Sequence, residues 1–112
     1  MFNLFFKKQS EHNEDEVLNF GLGVAITHYL RPIQEQLKTE FPVLTAAEQN
    51  HYNKVCQSVV KFGEKAIWRL FRKKGPDMKL EDLKPIMVRR YTWVSDKNVL
   101  SLITIGVYHI MK

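Results

Sequence analysis

Cysteine is almost absent from this chain: Cys56 is the single one, so neither an internal disulfide nor a thiol-rich metal cluster can form. A reducing, cytoplasmic setting is therefore expected. Long apolar runs are missing too. The longest stretches without a charged residue, Val17 to Leu30 and Asn98 to Met111, fall short of the ~20 residues that a membrane-spanning helix requires. The opening MFNLFFKK places its charges after its apolar residues and has no small-residue cleavage site, so it does not read as a secretory signal. Glycine-rich phosphate loops are also lacking. GLGVAI, from Gly21, has neither the third glycine of a dinucleotide fingerprint nor the Gly-Lys-Ser/Thr of a P-loop. The two glycines, Gly21 and Gly23, instead predict close approach of another helix.

Metal and catalytic constellations are equally sparse. His12, His28, His51 and His109 are scattered, with no HxxxH pair and none at a ligand spacing from Cys56. Cys56 falls on the apolar face of a helix, where an apolar setting suppresses thiolate formation. Glu81 and Asp82 stand where a helix begins, so dipole complementarity accounts for them without acid-base work. No enzyme, metal or cofactor is expected from these residues.

What remains is a chain of 112 residues with 45% hydrophobic and 26% charged side chains, which is the composition of a folded domain. One domain over residues 1–112 is expected, with residues 1–13 as an arm and polar segment. From Glu14 the apolar residues Leu18, Leu22, Ile26, Tyr29, Ile33 and Leu37 recur at helical spacing and keep phase across Pro32, which predicts one helix kinked there. Phe41-Pro42 ends it. Thr45-Ala-Ala-Glu48 is a capping box, and Gly75-Pro76 is a stop, so a helix of close to thirty residues lies between them. The last third is rich in β-branched and aromatic residues. A C-terminal β-hairpin from residues 86–94 and 99–110, giving an α+β fold, is the alternative reading. Helical spacing of Leu80, Leu83, Met87, Tyr91 and Val94, and of the polar Ser101, Thr104 and Lys112, favours two helices near 80–92 and 96–111, the second capped by Ser95 or Asp96. The expected fold is all-α, an irregular four-helix bundle packed around Asn98 to Met111. That last helix is apolar nearly all round, which suits a bundle interior or an oligomer interface. It offers almost no side chain able to read base edges, which argues against a helix-turn-helix.

Charge is distributed unevenly. Residues 1–50 carry four basic and seven acidic side chains, a balance of −3, whereas residues 51–112 carry thirteen and five, a balance of +8. On the long helix Lys54, Lys61, Lys65, Arg69 and Arg72 fall within an arc of about 90°, with Lys73 at its edge. Trp68 projects beside that stripe, near Gln57, Glu64 and Phe71, rather than toward the opposite face of Tyr52, Val55, Cys56, Val59, Gly63, Ala66 and Leu70. The functional expectation is a small non-enzymatic interaction or regulatory module that binds a protein partner or itself, its acidic half meeting the basic half of another copy. The alternative is a polyanion binder, with single-stranded nucleic acid held by the stripe and Trp68. A third reading is peripheral attachment to anionic membrane through MFNLFFKK and the same basic face.

Overall fold

The computed structural model describes residues 13–29 and 31–112. All of the expected arm and polar segment except Asn13 lies outside the described residues. Among the described residues five α-helices follow one another: α1 (Glu14–Thr27), α2 (Gln34–Glu40), α3 (Ala46–Lys74), α4 (Leu80–Arg90) and α5 (Asp96–Met111). A single 3₁₀ turn, Gly75–Asp77, joins α3 to α4. No strand occurs among the described residues, so the fold is all-α and the segments 86–94 and 99–110 do not form a hairpin.

Local chemistry marks most of these boundaries. Asn13 accepts the Glu16 amide at the start of α1, Thr45 and Glu48 close the capping box of α3, and the Ser95 hydroxyl accepts the Asn98 amide at the start of α5. Gly75 ends α3 with φ of 71°, a left-handed conformation that a side chain would disfavour.

The expected single kinked helix is instead two helices. Pro32 has no N–H to give to the His28 carbonyl, its ring crowds that carbonyl, and it drives Arg31 away from helical geometry. The Arg31 amide bonds back to His28 in a tight turn, and Tyr29 turns to positive φ. The chain then reverses, and α2 runs antiparallel to α3, with the Ile33 amide on Asn53 and Gln34 on Asn50.

Helices α1, α3 and α5 all run in the same direction. Their contacts climb together: Leu18 to Cys56 and Tyr29 to Glu64 between α1 and α3, then Gly63 to Leu102 and Gly106 to Ile67 between α3 and α5. The short α2 and α4 carry the chain back each time. The two returns are built alike. Phe41 and Tyr91 each leave the helix with φ and ψ of −128° and 76° or −127° and 83°, and each donates its amide to the carbonyl four residues back. The buried residues Ile33, Leu37 and Leu44 reappear fifty positions later as Leu83, Met87 and Val94, and the N-cap Thr45 reappears as Ser95. The described residues thus form a long-helix, short-helix unit used twice and completed by α5.

The centre of the core is α3, not α5. Tyr52, Cys56, Val59, Val60, Ala66 and Ile67 of α3 are buried against Leu22 and Ile26 of α1, Leu83 and Met87 of α4, and Val99 and Leu102 of α5. Where α1 crosses α3, Gly21 is required: a Cβ there would lie 2.9 Å from Cys56 Sγ and 3.1 Å from Ile33 Cδ1. Gly23 behaves differently, since its Cβ would meet only Asn98 Oδ1, at 3.4 Å.

Cys56 lies in the tightest part of this packing, its thiol directed at the Leu18 carbonyl. Burial pushes the thiol up to about 12. At pH 8 its thiolate fraction is then roughly a thousand-fold below that of an exposed cysteine. Ellman's reagent should accordingly react at least a hundred-fold more slowly with the native protein than with the protein in denaturant. Equal rates would contradict the burial of this side chain.

Candidate functional site

The long helix α3 has 29 residues, and at 1.5 Å per residue it spans about 43 Å. Its inward sector is filled by the core, so its outward sector is a fixed ridge. All seven residues expected to form a site lie on that ridge and are exposed: Lys54, Lys61, Lys65, Trp68, Arg69, Arg72 and Lys73. Trp68 is 49% exposed, so the indole does not fill the interior. It borders a hollow of about 50 Å³ lined by Glu64, Ile67, Gly106, His109 and Ile110, at the junction of α3 with the end of α5.

Ion pairing is found elsewhere. Lys74 pairs with Asp82 at 3.3 Å and Lys84 with Asp96 at 2.9 Å. Among the described residues the six cations of the ridge have no acidic partner. Glu64 is the one acid in this part of α3, and it is turned away: the Tyr29 hydroxyl donates to its carboxylate. That hydrogen bond, with burial and the carboxylate charge, raises Tyr29 to about 12. The Tyr29 ring also meets His109 edge-on, at 4.8 Å between centroids. Tyr29, Glu64 and His109 do line a second small hollow, but at about 20 Å³ it would hold no more than one water. The three side chains tie the end of α1 to α3 and α5, and among the described residues they leave the ridge without a neutralising charge.

The far flank of the ridge holds a further basic residue, one that adds to the positive half of the sequence but is not among the seven expected to form the site. Arg90, at the end of α4, lies over the Phe62 ring at 5.1 Å and over Tyr91 at 5.7 Å. Phe62 and Tyr91 meet edge-on, as do Tyr91 and Trp93. The cationic ridge is therefore bordered by an indole on one side and by a stacked guanidinium on the other.

A second surface stands out on α5. Its outer side carries Leu100, Tyr108 and Met111, which are 48%, 62% and 61% exposed, with Thr104 between them. No charged residue occurs from Asn98 to Met111. Beside this strip an open groove of about 500 Å³ runs between α5 and α1, with Phe20, Val24 and Thr27 along one wall and Lys97, Asn98 and Ser101 along the other. The bare backbone of Gly23 contributes to the groove lining.

Among the described residues no group of three or more histidine, cysteine or acidic side chains could hold a metal ion, and no helix is long and apolar enough to cross a membrane. No family model matches the chain, and neither the curated proteins nor the solved structures include a match.

Proposed function

We propose that this protein is a non-enzymatic interaction module that associates with a second copy of itself through the outer face of α5 and the adjoining α1/α5 groove. The observation that carries this reading is the uncovered strip Leu100, Thr104, Tyr108 and Met111, because a helix facing only water ordinarily carries charges on its outer side.

Charge supports a like partner. The acidic residues Glu14, Asp15 and Glu16 open α1, and the N-terminal ends of α1 and α5 are joined through Asn19 and Ser95. The basic residues dominate the other half of the sequence. A two-fold axis across α5 sets two copies antiparallel, so that each acidic end lies toward the other copy's basic end. Size then sets the strength. A helix of 16 residues is about 24 Å long and about 10 Å across, so one face of it offers about 240 Å² per copy before the groove is added. That is below the roughly 800 Å² per partner of standard stable interfaces, so a dimer of about micromolar affinity is expected.

Light scattering between about 5 and 500 µM should show the mass rising from monomer to dimer. Leu100→Glu with Tyr108→Glu should hold the protein monomeric throughout, because both side chains are on the surface and the fold does not need them. A monomer at every concentration would remove the proposal, and so would a dimer that tolerates both glutamates.

A further inference from the structure

We infer that the ridge of α3 is a binding site for single-stranded nucleic acid, formed by Lys61, Lys65, Arg69, Arg72 and Trp68 of α3 together with Arg90 of α4. This goes beyond self-association and uses a different surface.

Three features of the ridge point to this ligand. The first is spacing along a straight axis. Lys61, Lys65 and Arg69 are separated by four residues each, about 6 Å, and Arg72 follows about 4.5 Å further on. Each can meet a different phosphate of a strand laid along the helix. Lys54 and Lys73 extend the row at its two ends. The second feature is that among the described residues these charges have no acidic partner: acids pair with Lys74 and Lys84, and Tyr29 engages Glu64. The third is the pair of flat groups at the margins. Trp68 offers a half-exposed indole to a base, and Arg90 is held in place by stacking on Phe62 and Tyr91.

The same geometry decides against the competing polyanions. An anionic membrane would need an apolar sector to enter the headgroup region, but the apolar sector of α3 is buried in the core, and among the described residues Trp68 is the one large apolar side chain of α3 left exposed beside the charges. Duplex DNA could meet the cations, but its bases are stacked on one another and leave Trp68 without a face to cover. An unpaired strand satisfies both the charges and the ring.

Fluorescence anisotropy tests this with the full chain and three probes: a labelled 12-nucleotide oligothymidylate, a duplex of the same length, and vesicles containing anionic phosphatidylserine. The single strand should bind best and should quench the tryptophan emission. Trp68→Phe separates that signal from Trp93 while keeping most of the affinity. Five phosphates neutralised predict a slope of about −3.5 in a plot of log K against log salt. Lys65→Glu with Arg69→Glu should weaken binding by roughly a hundred-fold and flatten that slope, and Trp68→Ala should weaken it by about ten-fold. Arg90→Gln should show a smaller loss. Leu100→Glu with Tyr108→Glu should bind the strand as the parent does, which separates this site from the dimer surface. The inference is overturned if the oligonucleotide is not retained at low salt. It is also overturned if duplex or vesicles bind as well as the single strand, or if Trp68→Ala leaves affinity unchanged.

Discussion

Replacing Asn19 by leucine is expected to destabilise the protein by about 3 kcal/mol, which for a domain of this size lowers the melting temperature by about 15 °C. The reason is the number of groups that meet at this one amide. Asn19 Nδ2 donates to the Asp15 carbonyl at 3.1 Å and to the Trp93 carbonyl at 2.8 Å. Its Oδ1 accepts from the Ser95 amide and from Asn98 Nδ2, both at 2.9 Å. Asn98 in turn donates to the Asn19 carbonyl and is only 5% exposed. A leucine would leave the Trp93 carbonyl and the Ser95 amide without their side-chain partner and would take one of the two acceptors of the Asn98 side-chain amide, which keeps the Asn19 carbonyl; each part-buried group left unsatisfied costs about 1–3 kcal/mol. Asn19→Asp keeps both acceptors and loses both donors, so it should fall between leucine and the parent. Thr104→Ala is the control: its hydroxyl bonds only the Leu100 carbonyl of its own helix, and a change within about 0.5 kcal/mol is expected. Urea denaturation measures all three. A loss below 1 kcal/mol for Asn19→Leu would show that water replaces the amide, and that the α1–α5 junction does not depend on it.

That junction illustrates what the sequence conceals. Asn19 reads as an ordinary polar residue in an amphipathic helix, and its partners are more than seventy residues away. Signals that act within one turn were legible: the Thr45–Glu48 box, the Ser95 cap and the Gly75-Pro76 stop all stand where expected. The break at Pro32 was not legible, although Ile33 and Leu37 are buried as their spacing requires. Periodicity records which side chains face inward, not whether the helix axis continues. A short antiparallel α2 buries the same residues that a kinked continuation would have buried.

The same distinction separates the two surfaces. The ridge of α3 could be derived in advance because a single uninterrupted helix obeys one angular rule from Lys54 to Lys73. Arg90 could not be added to it, since its place over Phe62 depends on α4 folding back along α3. For α5 the difficulty was of another kind. The narrow polar stripe of Ser101, Thr104 and Lys112 does mark the outer side, but on a helix apolar nearly all round it could not show that the flanking Leu100, Tyr108 and Met111 would be left uncovered while Val99, Leu102 and Ile103 were buried.

Gly106→Val is expected to cost about 2 kcal/mol, because α5 crosses α3 closely at this position. A Cβ at Gly106 would lie 2.8 Å from Ile67 Cδ1 and 3.1 Å from Ile67 Cγ2, and Ile67 is buried, so its side chain must shift toward the small hollows beside it to make room. Helix propensity works in the other direction by a few tenths of a kcal/mol, since valine suits a helix better than glycine, and overpacking is the larger effect. The clash is with one side chain, so it should be relieved by trimming that side chain. Ile67→Ala alone should be destabilising by about 3 kcal/mol through the cavity it leaves, and the double variant should be more stable than the two losses added together by at least about 1 kcal/mol. Gly23→Ala provides the opposite sign. Its Cβ would meet only Asn98 Oδ1 at 3.4 Å, so the gain of about 0.5–1 kcal/mol from alanine's helix propensity should appear nearly undiminished. Strict additivity of Gly106→Val with Ile67→Ala in urea denaturation would contradict the α3–α5 crossing, and with it the hollow beneath Trp68 that Gly106 and Ile67 both line.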